Sequence, residues 1–233
     1  AWNTSWGVSA RLIGGLVMTH GDDNGLVIPP RLAPAQVVVI PILRGDDAGP
    51  VRDKADEIVS RLKENGVRVR LDARDHLSPG AKFFEWERKG VPFRLEIGPR
   101  DLAEGNVALA RRLTPEGEKR KAFLPEAQAL AELPERLESF QGELLQAAIA
   151  RREANTVRGV KSLDEMEEAF EDGAGFVFSG WSGDPAVEEA VKERMKATIR
   201  LLPDEEFRSD QAPATCVSGA GESVTEAAWA RAY

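Results

Sequence analysis

With 233 residues, 42% of them hydrophobic and 30% charged, the chain has the composition of a globular protein and the length for one large or two modest cores. No apolar run approaches the roughly 20 residues that cross a bilayer, and the first residues lack a signal-peptide pattern, which argues against membrane and secreted classes. The net charge of −8 argues against nonspecific nucleic-acid binding, and the single cysteine, Cys216, excludes an internal disulfide. A reducing compartment is indicated, and we expect the cytoplasm.

The first twenty residues carry the first candidate site. Trp6 and Gly7 precede an apolar pattern with helical spacing, which predicts a helix over residues 9–20 with Ser9 and Arg11 at its start. A helix N-terminus offers unpaired N–H groups, and an arginine fork matches two phosphate oxygens, so a nucleotide phosphate fits here. Gly7 leaves room for a flat ligand against the backbone. On spacing alone, Arg11 can also be a solvated surface charge and Trp6 a core residue.

Beyond residue 33 the pattern alternates between strands and helices, which predicts an α/β domain with a mixed, mostly parallel sheet. The β-branched run at 36–42 is typical of a strand buried on both faces. Further strands are predicted at 26–28, 67–71, 93–97 and 106–112, and helices at 51–65 and 81–89.

The rest of the chain predicts a helix-rich connector and a small C-terminal α/β domain. The connector covers residues 125–156, with Pro134 as a break or kink. In the last domain, Ser162 and Glu165 form a capping-box pattern at the start of a helix over 162–172. A strand at 176–178, a helix at 185–196 and a strand at 197–202 follow.

The second candidate site lies between residues 82 and 101, where aromatic residues alternate with charged ones. Single-stranded RNA bases are recognised by stacking on aromatic rings and by hydrogen bonds to their edges. A guanine offers N–H donors that match a carboxylate and acceptors that match an arginine or lysine, so Lys82, Glu87 and Arg94 suit it chemically. The alternative is that Trp86 and Phe93 are core residues and that the charges form a surface ion-pair network.

These stretches resemble one known family. TSWGVSAR, a glycine pair, THGDDNGL, IPP and QVVVIPI resemble motif 3 and the following linker of the class II aminoacyl-tRNA synthetases, and within them the archaeal and eukaryotic type of prolyl-tRNA synthetase. The stretch from Lys82 to Leu102 resembles the same family's pattern KFxxWExKGVPxRxEIGPRDL. The resemblance implies the end of a catalytic domain at 1–33, an anticodon-binding domain at 34–124, a helical connector at 125–156 and a C-terminal domain at 157–233.

The function that the resemblance implies is proline–tRNA ligation. Such an enzyme joins proline to ATP, with Mg²⁺, and transfers the prolyl group to the 3′ end of tRNA(Pro), whose anticodon carries G at its last two positions. Ser9 and Arg11 would bind ATP, with Arg11 catalytic because it stabilises charge at the α-phosphate. Trp6 and Gly7 would border the proline pocket. Guanine recognition would fall to Lys82, Glu87 and Arg94.

The same resemblance sets expectations for the whole enzyme. We expect a full-length homodimer without membrane association, and a chain that is inactive by itself because it lacks motifs 1 and 2. The alternative is a noncatalytic RNA-binding accessory protein that resembles an anticodon-binding domain. Ser9 and Arg11 argue against that alternative, since a pure binding module does not need ATP contacts.

Two expectations concern the C-terminal domain. Many relatives hold a zinc ion there with four cysteines, whereas this chain has Ser182, Val187, Cys216 and Ser218 at about those positions. One thiolate does not make a tetrahedral site, so we expect a degenerate zinc-binding-like domain without zinc. The terminal Tyr233 matches the family's closing residues, which implies that its carboxylate packs toward the active site; the alternative is a frayed terminus.

Overall fold

The computed structural model describes residues 2–43, 48–114, 117 and 119–231, and the chain divides into two compact units, Ala1–Ala148 and Ile149–Tyr233. The helices are α1 (Arg11–His20), α2 (Ala48–Glu64), α3 (Pro79–Arg88), α4 (Pro99–Glu104), α5 (Glu126–Ala154), α6 (Leu163–Glu171) and α7 (Pro185–Met195). The strands are β1 (Val37–Pro41), β2 (Val69–Leu71), β3 (Phe93–Ile97), β4 (Asn106–Arg111), β5 (Lys121–Pro125), β6 (Thr156–Val160), β7 (Phe176–Trp181), β8 (Ala197–Leu201) and β9 (Thr225–Arg231). None of the described helices combines the length and apolar character that a bilayer crossing requires.

The first unit is built on a five-stranded sheet with the order β2-β1-β3-β4-β5. Strand β1 pairs in parallel with β2 and β3, while the β3–β4 and β4–β5 pairs are antiparallel. The predicted mixed sheet is therefore confirmed, but its parallel share is smaller than expected. Two of the four strand pairs, β3–β4 and β4–β5, are antiparallel. The second of these pairs was not expected because β5 was not predicted.

One face of this sheet packs against α2 and α5. The core contains Ile58 and Leu62 of α2 and Leu133, Leu137 and Phe140 of α5, all less than 5% exposed. Pro134 lies inside α5 without ending it. A proline removes one helical hydrogen bond, and the buried leucines on either side of it keep the helix in place. The first part of the predicted connector thus belongs to the core of the first unit.

The other face of the sheet is covered by α3, whose Trp86 packs with Val38 and Ile40 of β1. Helix α3 begins two residues earlier than predicted, because Ser78 caps it: its Oγ accepts a hydrogen bond from the N–H of Ala81 at 3.3 Å, with Pro79 in the first turn.

The strand predicted at 26–28 is wrong. This segment forms no strand; instead the N–H of Leu26 donates to the carbonyl of Arg88 and the N–H of Ile28 donates to the carbonyl of Gly90. The segment therefore lies against the end of α3 and not beside a strand. Gly90 permits this approach, since its φ is +73° and a Cβ there would meet the Leu26 carbonyl oxygen at 2.6 Å.

The second unit contains a four-stranded sheet with the order β6-β7-β9-β8 and the helices α6 and α7. Its core includes Met166, Phe170, Val191 and Trp229. The predicted small α/β domain is confirmed. The cap of α6 is also present, since the Oγ of Ser162 accepts a hydrogen bond from the N–H of Glu165 at 3.2 Å.

Candidate nucleic-acid interface

The two residues expected to bind phosphate lie together at the start of α1. Helix α1 begins at Arg11, and the Oγ of Ser9 lies 3.4 Å from the Arg11 backbone nitrogen and accepts its hydrogen bond. Both residues are exposed. The spacing thus places a hydroxyl and a guanidinium at one helix N-terminus, where N–H groups also point outward.

The residues expected to border the proline pocket are not enclosed by the described chain. Trp6 is 94% exposed, and a Cβ placed on Gly7 would meet no atom within 4 Å. Helix α1 itself has no buried residue, and its apolar Leu12 and Ile13 are 65% and 68% exposed. Trp6 is therefore not a core residue of the described part of the chain, and α1 presents an uncovered apolar face.

Lys82 is buried, contrary to its expected role as an exposed guanine contact. Only 3% of the residue is exposed, and its Nζ donates to the backbone carbonyl of Asp72 at 3.2 Å. Burial lowers the pKa of Lys82, because the charged ammonium loses water, and the Asp72 charge opposes this shift. A direct contact between Lys82 and a base is not available in this arrangement.

Asp72 anchors α3 to the edge of the sheet. Its carboxylate accepts a hydrogen bond from Trp86 Nε1 at 2.7 Å and two from Arg74, at 2.8 and 2.7 Å. Burial alone would raise the pKa of Asp72, but the hydrogen bonds from Arg74 and Trp86 outweigh it and lower the pKa to about 2. The Asp72 carboxylate is thus held as an anion against α3, the helix that carries Glu87.

Glu87 and Arg94 line one narrow cavity, together with Trp86, Arg112 and Arg120. The carboxylate of Glu87 forms an ion pair with Arg120, and the Nε of Arg94 donates to Glu96 at 2.8 Å. The free space is about 10 Å³, which holds no more than one water molecule. A base can therefore reach Glu87 only if the Arg120 side chain moves away.

The alternative stated from the sequence, core aromatic rings with a surface ion-pair network, is present in part as well. Trp86 and Phe93 are 9% and 3% exposed, so both belong to the core. Arg94 and Glu87 each have an ion-pair partner, as a surface network requires, but they are not paired with each other. The core role of the aromatic rings and a recognition role of the charges are compatible, since the rings hold the strand and helix that carry them.

The structure adds residues that the sequence analysis missed. Glu96 is 2% exposed and accepts a hydrogen bond from Lys121 at 2.5 Å in addition to that of Arg94. The Arg94 guanidinium also lies 4.2 Å from the centre of the Phe83 ring. Two aromatic side chains are exposed, Phe84 of the predicted stretch at 76% and Phe123 of β5, which was not predicted, at 67%; exposed rings are the groups on which single-stranded RNA bases stack.

Strand β5 was missed because its sequence, Lys-Ala-Phe-Leu-Pro, does not alternate between polar and apolar residues. Lys121 and Phe123 point to one side of the sheet, and the intervening residues Ala122 and Leu124 to the other. This alternation of direction follows from the pairing with β4 and is not visible in the residue types. The domain predicted at 34–124 ends in this segment, and no strand was predicted there.

Arg112 connects this interface to the turn that follows α1. Its guanidinium donates to both carboxylate oxygens of Asp22, at 2.9 and 2.5 Å, and to the backbone carbonyls of Leu26 and Glu87, at 2.9 and 3.0 Å. The hydrogen bonds from Arg112 lower the pKa of Asp22. One buried cation thus holds residues 22–26 against the end of α3.

In the second unit, the positions compared with a zinc site lie close together. The Oγ of Ser218 donates to the Sγ of Cys216 at 3.3 Å, and Ser182 also hydrogen-bonds this thiol. Val187 belongs to the same buried cluster as Cys216. One thiol, two hydroxyls and a valine do not fit a tetrahedral zinc ion. Tyr233 lies outside the described residues.

Comparison with known proteins gives the same assignment for both units. A family model described as an anticodon-binding domain matches residues 36–139, and a model of the prolyl-tRNA synthetase C-terminal domain matches residues 163–233. The proline–tRNA ligase of Chloroflexus aurantiacus is 46% identical over 233 residues, which are 100% of this chain and 47% of that protein. The ligase of Roseiflexus castenholzii is 44% identical with the same coverage.

A solved structure agrees. The prolyl-tRNA synthetase of Cryptosporidium parvum, complexed with L-proline and AMP, matches with a TM-score of 0.82 and 30% identity, over 96% of this chain and 46% of that one. The chain thus spans about half the length of the relatives it matches. With two domain models matched in order and relatives aligned along its whole length, the chain belongs to the prolyl-tRNA synthetase family and corresponds to the C-terminal portion of these enzymes.

Proposed function

We propose that the chain is the C-terminal half of a proline–tRNA ligase and that its first unit recognises the anticodon of tRNA(Pro). The whole enzyme joins proline to ATP and transfers the prolyl group to the 3′ end of that tRNA. The observation that carries the proposal is the joint placement of Glu87 and Arg94 in one cavity, inside a domain that matches an anticodon-binding model.

The guanine contact follows from the chemistry of these two side chains. A carboxylate accepts from N1–H and N2–H₂ of guanine, and a guanidinium donates to O6 and N7. Glu87 gives up its ion pair with Arg120 when the base enters, so the base replaces one set of hydrogen bonds with another. Lys82 supports the site from within, through the Asp72 carbonyl.

In this proposal the start of α1 binds ATP. Ser9 and Arg11 bind the triphosphate, Mg²⁺ neutralises part of its charge, and Arg11 stabilises the charge that develops at the α-phosphate. Trp6 and Gly7 border proline. The exposed Leu12 and Ile13 support this placement, because an apolar helix face of this kind requires a covering domain. The resemblance further implies a homodimer, and the composition favours a cytoplasmic location. Ser182, Val187 and Ser218 at positions where many relatives have cysteine favour a domain without structural zinc.

Binding of an anticodon hairpin tests the recognition part of the proposal. The hairpin carries the tRNA(Pro) loop, and matched hairpins have adenine in place of each guanine at the last two anticodon positions. The unaltered chain is expected to prefer guanine by about 1–3 kcal/mol per position, and Arg94→Ala and Glu87→Gln are expected to abolish the preference at the position whose guanine enters this cavity. Fluorescence anisotropy measures the affinities.

Arg31→Ala serves as the matched control, since Arg31 lies outside the candidate site, its side chain is 70% exposed and it pairs with Glu138 of α5. This variant should keep the full preference for guanine. Thermal melts show whether each variant is folded, and Glu87→Gln retains the shape of the side chain if Arg94→Ala does not fold. Equal affinity of the unaltered chain for guanine and adenine hairpins would refute anticodon recognition at this site.

A further inference from the structure

A second cavity in the first unit lies between the sheet and α5, with a volume of about 150 Å³. Its polar lining consists of Arg111, Thr114, Lys119, Arg120, Arg136 and Ser139. Four of these six side chains are cationic and the other two carry hydroxyl groups. A cavity with only hydrogen-bond donors and hydroxyls on its polar wall selects an anion with several oxygens.

Two buried polar atoms of this lining have no hydrogen-bond partner. They are the Nε of Arg111 and the Oγ1 of Thr114, neither of which meets a partner among the described residues. A buried donor without a partner costs free energy, so such atoms in a native structure call for an explanation. Both belong to residues that line the cavity, so a bound oxyanion that they reach after a small side-chain movement would satisfy them together.

Three of the four cations of the cavity have carboxylate partners on neighbouring elements. Arg111 pairs with Glu143, Arg136 with Glu132, and Arg120 with Glu87. Lys119 is exposed and forms no ion pair with a described residue. Arg111 also stacks on Phe140, with its Cζ 4.4 Å from the ring centre, which holds the guanidinium in a fixed orientation.

We propose that this cavity binds a phosphate group, with Arg111 Nε, Thr114 Oγ1 and Lys119 Nζ as its donors. The proposal rests on the proposed function for the source of the phosphate, which we assign to the backbone of the RNA bound at Glu87 and Arg94. The two cavities share Arg111 and Arg120. A guanine that displaces Arg120 from Glu87 therefore frees a guanidinium for a neighbouring phosphate.

The test uses the whole chain and two probes, inorganic phosphate and the anticodon hairpin. The variants are Thr114→Val and Lys119→Met, and Lys63→Met, an exposed lysine of α2, is the control. Inorganic phosphate should shift the amide resonances of Thr114 and Lys119 in the unaltered chain, against chloride of equal ionic strength. Both cavity variants should weaken phosphate binding at least threefold, and Lys63→Met should not.

With the hairpin, Lys119→Met should reduce the slope of log affinity against log salt by about one, because one phosphate contact is lost. Thr114→Val should lower the affinity for the hairpin without altering that slope, since it removes a neutral hydrogen-bond donor. Both variants keep the preference for guanine, which separates this inference from the proposed function. Phosphate binding without any effect on the hairpin supports the cavity but assigns it to free phosphate. Unchanged behaviour of both variants with both probes would overturn the inference.

Discussion

Asp72 has a pKa in the folded chain that predicts a pH dependence of stability. Its pKa in the folded chain is about 2, below the ordinary value of 3.8. A carboxylate with a lowered pKa contributes stability above its unfolded pKa and loses it as the pH falls through the folded value. We therefore expect about 2 kcal/mol of the free energy of unfolding to vanish between about pH 4 and pH 2.

Urea titrations of the unaltered chain and of Asp72→Asn at pH 7, 5 and 3 measure this effect. The variant should be less stable at pH 7, and the gap should narrow toward pH 3. Asp53→Asn, which alters an exposed carboxylate of α2, should be close to neutral at every pH. A constant gap across the pH range would show that Asp72 acts through packing and not through its charge.

At the scale of single elements, the start of α3 depends on Ser78. Removal of an N-cap hydroxyl costs about 1 kcal/mol, so Ser78→Ala should lower the free energy of unfolding by that amount. Ser60→Ala is the matched control, because the Ser60 hydroxyl donates to the Asp56 carbonyl inside α2 and alanine is a better helix former. Chemical denaturation should separate the two variants, and equal losses would exclude a capping role for Ser78.

Elements with a clear periodicity were predicted well from the sequence, and those defined by tertiary context were not. Helix α2 buries one face and has apolar residues at helical spacing, and strand β1 is buried on both faces and is apolar throughout. Both patterns can be recognised from the residue types alone. Strand β9 was missed because its alanines have a low strand propensity, and burial between β7 and β8 decides its conformation. At the interface, Glu87 and Arg94 were predicted, whereas the burial of Lys82 depends on the fold of the β2–α3 loop.

On the scale of the whole molecule, charge is divided unequally between the two units. Residues 149–233 contain ten basic and seventeen acidic residues, and residues 1–148 contain twenty-one and twenty-two. Most of the net charge of −8 thus belongs to the second unit, so the acidity of the whole chain does not argue against RNA binding by the first. The candidate contacts with RNA all belong to that nearly neutral unit.

Each unit also buries a hydrophobic core of its own, which predicts two unfolding transitions. Leu133→Ala in the first core and Met166→Ala in the second should each lower one transition, by about 2–5 kcal/mol, and leave the other in place. Calorimetry resolves the two transitions. A single transition that shifts with both substitutions would contradict independent cores.

The hydrogen bonds of Arg112 couple two segments of the first unit, the turn after α1 and the end of α3. The Arg112 guanidinium donates hydrogen bonds both to the carboxylate of Asp22, which follows α1, and to the backbone carbonyl of Glu87. A displacement of the Glu87 peptide would therefore either move Asp22 with it or break one of the hydrogen bonds that Arg112 donates. Arg112 thereby couples the position of the turn that follows α1 to the position of the helix end that carries Glu87.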